Sequence, residues 1–108
     1  MKKYELTDET TTIDGHILHR IKALRSFSGV EEGDLGGFVE SEANLSHDGE
    51  AWVFDEAWVC DEACVFNKAW VFNKAVVCNK ASIHDEARAG GEAMVNGKAV
   101  VCGGGVIQ

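Results

Sequence analysis

Cysteine and histidine are the residues of this chain with the widest chemical range, and two pairs of them recur eighteen residues apart. Cys60 and Cys78 form one pair, and His84 and Cys102 form the other. Two thiols can share a metal, whereas a thiol beside an imidazole can act as a nucleophile. A tetrahedral zinc site needs four ligands, and a catalytic thiol needs a third group that orients its base. The sequence offers neither, so it predicts no metal, no nucleotide and a small apolar packing role for Cys60 and Cys78.

His47 is the histidine that lies beside an irregularity, in the segment LSHDGEA. A histidine in a groove can serve as a general base. A bend rich in Asp and Asn, however, more often uses its polar side chains for turn hydrogen bonds. We therefore predict no catalytic residue at this position. We expect His16 and His19 to lie at the surface or boundary of the N-terminal segment.

The elements that must position these residues follow a period of six. The stretch AWVFDEAWVCDEACVFNKAWVFNKAVVCNKA, residues 51–81, repeats Ala-x-Val-x-[Asp/Asn]-[Glu/Lys] five times. This period does not fit an amphipathic helix, in which apolar positions recur every 3.6 residues. Ala and Val two residues apart point to the same side of an extended strand, and Asp, Asn and Gly tolerate left-handed bends. Each hexad is therefore predicted to be a short strand and a turn, which must stack on its neighbours.

Three hexads per turn of the stack place residues eighteen apart above one another. Nine positions then fill the interior, with Ala beside them: Val53, Val71, Ala89, Val59, Val77, Val95, Val65, Ile83 and Val101. The corner positions begin with Asp55, Asn73 and Gly91. Charges next to the corners alternate in sign from turn to turn, as in Glu56 and Lys74. We interpret these charges as structural ladders that favour the register.

The first 36 residues differ from the repeat. Two extended runs flank Asp14-Gly15, which is the strongest short signal for a β-hairpin. A solenoid also needs a terminal unit that closes the end of its apolar core. We therefore predict a hairpin cap and linker over residues 1–36, with Ile17, Ile21 and Ala23 on one side of its second strand. The repeat is predicted to occupy residues 37–108, in one folding unit.

These repeats resemble those of the hexapeptide-repeat, left-handed parallel β-helix family. More narrowly, they are similar to small phage and prophage proteins with repeats of the type Ala-x-Val-x-[Gly/Asn/Asp]-[Asn/Asp/Lys/Glu]. The opening KYELTDETTTIDGHILHRIKALRSF and the segment GDLGGFVESEANLSHDGEAWV are also similar to that group. The resemblance implies an all-β fold, a three-sided parallel β-helix of left hand with an N-terminal β-hairpin cap. It says little about function, because this fold carries both enzymes and inert scaffolds.

The composition limits the partners. The chain has 108 residues, a net charge of −8 and a pI ≈ 4.8, which argues against direct binding to phosphate backbones. It is compatible with a basic partner protein. No apolar run approaches the roughly 18 residues of a membrane span, and the start lacks the apolar stretch of a secretory signal. We therefore expect a cytoplasmic protein (in the host cell, if phage-encoded) with reduced cysteines.

The outward positions carry aromatic residues where a solvated wall would use polar ones. Four of them form a two-by-two block on one face, and a fifth, Trp58, lies on the next face; the four are Trp52, Phe54, Trp70 and Phe72. Exposed apolar patches of a few hundred Å² usually mark an interface. We predict a two-fold homodimer through the block, unless the hairpin covers it. A further partner would meet Trp58 and the acidic corners Asp55, Glu56, Asp61 and Glu62.

Three functions follow from these features. The first, which we favour, is a non-catalytic, phage-encoded accessory protein that self-associates and binds or inhibits a host protein, with a defence or anti-CRISPR type of role by analogy. The second is an acyltransferase-like enzyme, in which His47 would act at a subunit groove. The third is a structural scaffold segment. Loss of activity in His47→Ala would support the enzyme, and presence in purified virions would support the scaffold.

Overall fold

The computed structural model describes residues 2–107, and nearly all of its regular structure is β. Three longer strands come first: β1 (Tyr4–Ile13), β2 (His16–Ala23) and β3 (Leu35–Val39). One 3-10 turn, Glu42–Asn44, follows. Two-residue strands then succeed one another every six residues. They are β4 (Trp52–Val53), β5 (Trp58–Val59), β6 (Cys64–Val65), β7 (Trp70–Val71), β8 (Val76–Val77), β9 (Ser82–Ile83), β10 (Arg88–Ala89), β11 (Met94–Val95), β12 (Val100–Val101) and β13 (Val106–Ile107).

Every third short strand pairs in parallel, so the chain winds into a three-sided β-solenoid of about four turns. The first wall consists of β4, β7, β10 and β13, and the third wall of β6, β9 and β12. The second wall contains β3, β5, β8 and β11. Paired residues are eighteen apart, as Trp52 with Trp70 and Val53 with Val71. The predicted three-sided parallel β-helix is confirmed.

Backbone conformation at the corners explains why the turns repeat. In the hexads from residue 51 onward, the residue two positions after the inward one has a positive φ, for example 56° at Asp55, 58° at Asn73 and 59° at Gly91. These are the residue types that adopt left-handed conformations at least cost. The Asp55 carboxylate also accepts a hydrogen bond from the Asn73 backbone N–H one turn above, at 3.0 Å. The corners therefore both bend the chain and hold adjacent turns in register.

The core is the narrow column between the three walls. All nine predicted inward positions are buried, and so are the Ala residues beside them from Ala51 to Ala93. Ala fits where three walls converge, while Val and Ile fill the space behind each strand. The inward assignment made from the six-residue period is confirmed.

The N-terminal hairpin is present and forms part of the second wall. Its turn has φ 48° at Asp14 and 84° at Gly15, both in the left-handed region that a two-residue hairpin turn requires. Strand β2 pairs antiparallel with β3, and β3 pairs in parallel with β5, so the hairpin extends the sheet of that wall.

One detail of the hairpin prediction is wrong. Ile17 is exposed and Leu18 is fully buried, although Ile21 and Ala23 are buried as expected. The pairing of β2 is irregular on both sides: it shifts against β1 between Leu6 and Thr10, and it shifts by one residue against β3 between Arg20 and Lys22. A simple alternation of residues cannot reveal such irregularities.

Candidate functional site

The cap covers one of the four aromatic residues in the block on the first wall. The Trp52 side chain is only 1% exposed, because Tyr4 and Phe27 pack edge-on against its ring with centroids 6.2 and 5.3 Å away. Gly36 allows this arrangement, since a Cβ there would lie 2.9 Å from a Trp52 ring carbon. The prediction of four exposed aromatics is therefore wrong at Trp52, which the N-terminal segment covers.

The other three aromatics of the block remain partly exposed. Phe54 meets Trp70 edge-to-face at 5.3 Å between centroids, and the Arg88 guanidinium lies 4.0 Å from the centre of the Trp70 ring. The Phe72 ring lies directly over Gly90, where any Cβ would collide with it. We call Phe54, Trp70, Phe72 and Arg88 the aromatic surface. They form one contiguous apolar area with a single cation in it.

A cavity of about 380 Å³ opens on the aromatic surface. The turn at Ser28 and Gly29 bounds it on one side, and Asp55 lies at its rim. Nη1 of Arg88 is buried and has no hydrogen-bond partner among residues 2–107. A buried guanidinium nitrogen without an acceptor costs about 1–3 kcal/mol or more. The cavity thus combines an apolar lining with a donor that lacks its acceptor.

The other predicted interface residues lie elsewhere. Trp58 is half-buried on the second wall, where it borders a groove with Thr11 and Val76. Glu56 is paired with Arg20 at 2.9 Å, and one Asp61 oxygen accepts from the Asn79 backbone N–H at 3.0 Å. These acidic corners, with Asp55 and Glu62, lie at two different edges of the solenoid. These two edges border the second wall on either side of Trp58, whereas the aromatic surface lies on the first wall.

Contacts with the cap and with the 3-10 turn hold the His47 ring in place. Its Nδ1 accepts a hydrogen bond from the Lys3 backbone N–H at 3.1 Å, so Nε2 carries the proton and donates to Glu42 at 2.7 Å. The ring also stacks on Tyr4, with centroids 4.2 Å apart. Both nitrogens are thus engaged, and neither presents a lone pair to a substrate. This geometry gives His47 a role in attaching residues 3 and 4 to the first turn of the solenoid.

Cys60 and Cys78 stack on the outer side of the second wall, as their spacing predicts. Both are present as free thiols. Burial, followed by the nearby Asp61 carboxylate, raises the pKa of Cys60 to about 12 and also raises the pKa of Cys78. A thiol with such a pKa is not a nucleophile at neutral pH.

The structure brings further polar groups to these thiols. Asp61 lies beside both, and the hairpin tip carries His16 to the same place, with Glu40 on its other side. Sequence reasoning missed His16 and Glu40 in this cluster. The available signal was the Asp14-Gly15 turn, which places His16 at the start of β2, but no pattern indicates which wall the hairpin contacts.

His84 and Cys102 stack on the third wall, also as their spacing predicts. The His84 ring lies parallel to Phe66 at 4.8 Å between centroids, and its Nδ1 is 3.3 Å from Asp85. Cys102 is exposed. The imidazole is thus oriented by Phe66 and by its neighbour in sequence, an arrangement typical of a packed corner.

No family model matches this chain, and no curated protein matches it. Within residues 2–107, no helix has the length and apolar character needed to cross a membrane.

Proposed function

We propose that this protein is a non-catalytic protein-binding β-solenoid that self-associates through the aromatic surface. The observation that carries the proposal is the cavity beside Trp70, where aromatic rings remain partly exposed around a buried guanidinium nitrogen that lacks an acceptor. Trp and Arg are the residue types most enriched at the energetic centres of protein interfaces. A partner that supplies a carboxylate and apolar surface would satisfy both features.

The occupant that the surface fits is a second copy of this chain. An isologous interface must be self-complementary, so one patch has to contain both members of each contacting pair. The cavity contains a cation, Arg88, and an anion, Asp55. A two-fold arrangement of the first walls would bring Arg88 of one copy to Asp55 of the other, with Trp70 between them. Such pairing would give the accessible part of the Arg88 guanidinium a carboxylate partner.

The test is the oligomeric state of Trp70→Arg. This side chain points away from the core, so the variant should keep its β-type circular dichroism spectrum while light scattering shows a monomer. Trp58→Arg is the matched control, because it makes the same change at the same strand position on the second wall. It should remain a dimer. A wild-type protein that is monomeric at the highest attainable concentration would contradict the proposal.

A charge reversal tests the pairing itself. Arg88→Glu should weaken the dimer, because it places like charges opposite one another across the two-fold axis. Asp55→Asn keeps a residue type that tolerates the positive φ of this corner, so in the double variant Arg88→Glu/Asp55→Asn it should relieve part of that repulsion. If the double variant associates no better than Arg88→Glu alone, Arg88 and Asp55 do not meet.

The wider proposal is a phage-encoded accessory protein that binds or inhibits a host protein. Its support is the net charge of −8, which favours a partner with a basic face, and the resemblance of the repeats to phage and prophage proteins. The contact would use Trp58, Glu62 and their neighbours on the second wall. Affinity purification of wild type alongside Glu62→Lys would test it, since a specific basic partner should be lost from the variant. Recovery of the chain from purified virions would favour a scaffold instead.

A further inference from the structure

Two carboxylates face the two ring nitrogens of His16. Nδ1 is 2.9 Å from Glu40 Oε2, and Nε2 is 3.2 Å from Asp61 Oδ1. A neutral imidazole carries one proton and can donate to only one of them. If Nδ1 donates to Glu40, the lone pair of Nε2 points at an anionic oxygen. A positive group between Nε2 and Asp61, either a second proton or a metal ion, would remove this repulsion.

Two thiols lie on the other side of Asp61. The sulfurs of Cys60 and Cys78 and a carboxylate oxygen of Asp61 all lie within 4.8 Å of one another. His16, Glu40 and Asp61 form a second trio within the same limit, so Asp61 belongs to both. His16, Asp61 and the two cysteines also line one groove of about 300 Å³ between the hairpin and the second wall. Asp61 thus joins two groups of potential ligands, the two thiols on one side and His16 with Glu40 on the other.

We propose that Cys60, Cys78, Asp61 and His16 bind one zinc ion, with Glu40 orienting the imidazole. Thiolate and imidazole are ligands that zinc prefers, and a mixed set of four is the number that a closed tetrahedral site requires. The prediction that no metal binds counted only two ligands, because the hairpin that supplies His16 is distant in sequence. The structure supplies the other two.

The geometry fits this ion. Bonds of about 2.0–2.3 Å at tetrahedral angles separate ligand atoms by about 3.3–3.8 Å. The 3.2 Å between His16 Nε2 and Asp61 Oδ1 is close to that range. Rotation of the cysteine side chains, with a shift of the hairpin tip toward them, would complete the tetrahedron around the ion. The Nδ1 contact with Glu40 reproduces the carboxylate–histidine–zinc arrangement in which the outer carboxylate fixes the ring and its tautomer.

The charges of this site determine how it responds to pH. Zinc binds thiolates, so each ion that enters must displace one proton from Cys60 and one from Cys78. Affinity should therefore rise with pH, because each thiol must lose its proton before it can bind the ion. The charged groups that face the site from the packed elements are Asp14, Glu40, Asp61, Glu62 and Lys80.

Binding would join parts of the chain that are otherwise held by weak contacts. The ion would connect the hairpin tip to two successive turns of the second wall. This link lies opposite the contacts of Tyr4 and Trp52, so zinc should stabilise the hairpin against opening. The protein would be more resistant to heat with zinc than without it.

The experiment uses the full chain, reduced and stripped of metal with a chelator. Titration with Co²⁺ should give one equivalent of binding, with thiolate-to-metal charge transfer and the intense visible bands of a tetrahedral site. Zinc should displace the cobalt and release about two protons per ion into a weakly buffered solution.

Matched variants complete the test. Cys78→Ser should weaken cobalt binding and reduce the charge-transfer bands, because one of the two thiolates is lost, while Cys64→Ser, on the third wall, should leave them unchanged. Glu40→Gln keeps the side-chain volume and should weaken zinc binding by roughly tenfold. No binding, or binding without thiolate bands, would overturn the proposal. In that case a second proton on His16 is the positive group.

Discussion

At the scale of single residues, Lys3 shows how the cap is attached to the first turn of the solenoid. Its side chain is fully buried, and Nζ donates to the Ala51 carbonyl at 2.6 Å while lying 5.2 Å from the centre of the Phe27 ring. Its backbone N–H donates to His47. Burial, with Arg25 nearby, lowers the pKa of Lys3 from 10.5 to about 8. A charged group in this position costs free energy that its hydrogen bond only partly offsets.

This shift predicts a pH dependence that Lys3→Met should remove. Between about pH 8 and pH 10.5 the unfolded chain holds the Lys3 proton and the folded chain does not, so stability gains from rising pH. The contribution is fully present above 10.5 and is lost as pH falls through about 8. In urea denaturation from pH 7.5 to 10.5, the free energy of unfolding of wild type should rise relative to that of the variant by up to about 1.4 kcal/mol per pH unit. If the free energies of unfolding of wild type and variant change in parallel with pH, the pKa of Lys3 is not lowered by folding.

At the scale of the element, the corner of each hexad decides whether the chain can wind. The residue there changes from Asp to Asn to Gly along the solenoid, yet φ stays between 56° and 64°. Asp and Asn accept this conformation and add a hydrogen bond between turns, such as the one from the Gly97 backbone N–H to Asn79 Oδ1 at 3.1 Å. Gly accepts it without strain but contributes no such bond. The later corners are therefore held less firmly than the earlier ones.

Gly97→Ala isolates the cost of this conformation. Gly97 has φ 62°, and a Cβ there would meet nothing within 4 Å, so the change introduces backbone strain without a collision. We expect a loss of about 1–2 kcal/mol in the free energy of unfolding. Gly104→Ala is the matched control, since its φ lies outside the left-handed region and its surroundings are equally open. A loss of equal size in both variants would refute the explanation by corner conformation.

At the scale of the whole molecule, one narrow core connects all the turns. The inward residues of the three walls touch across the axis, and the cap adds Tyr4, Ile21 and Phe27 to the same cluster. Each turn contacts only its neighbours along the axis, so stability depends on an unbroken stack. A defect in the middle should separate the chain into parts that are too small to fold.

Val71→Asp should therefore prevent folding, because it buries an unpaired charge in the centre of this core. Val71 is fully buried on β7, with turns above and below it. Val100→Asp is the matched control, since that valine is 61% exposed on β12. The control should keep a native circular dichroism spectrum and a cooperative thermal transition. A native spectrum for Val71→Asp would show that the core tolerates charge and is not dry.

The sequence by itself determined the solenoid, because its signals are local and repeated. The spacing of Ala51 and Val53 sets which side of the strand faces inward, and the corner residues set where the chain bends. Each feature recurs every six residues, so one residue that departs from the pattern does not change the predicted fold. The Asp14-Gly15 turn is equally local, and the hairpin followed from it.

Only the tertiary structure decided where the cap lies and what it covers. The contact of Tyr4 with Trp52 and the meeting of His16 with Asp61 join residues that are more than forty positions apart. They depend on how β2 pairs with β3, including the one-residue shift of that pairing between Arg20 and Lys22, which no periodic pattern encodes. A shift of one residue exchanges the buried and exposed faces of a strand. For this reason the burial of Trp52 and the cluster at Cys60 and Cys78 could not be predicted from spacing alone.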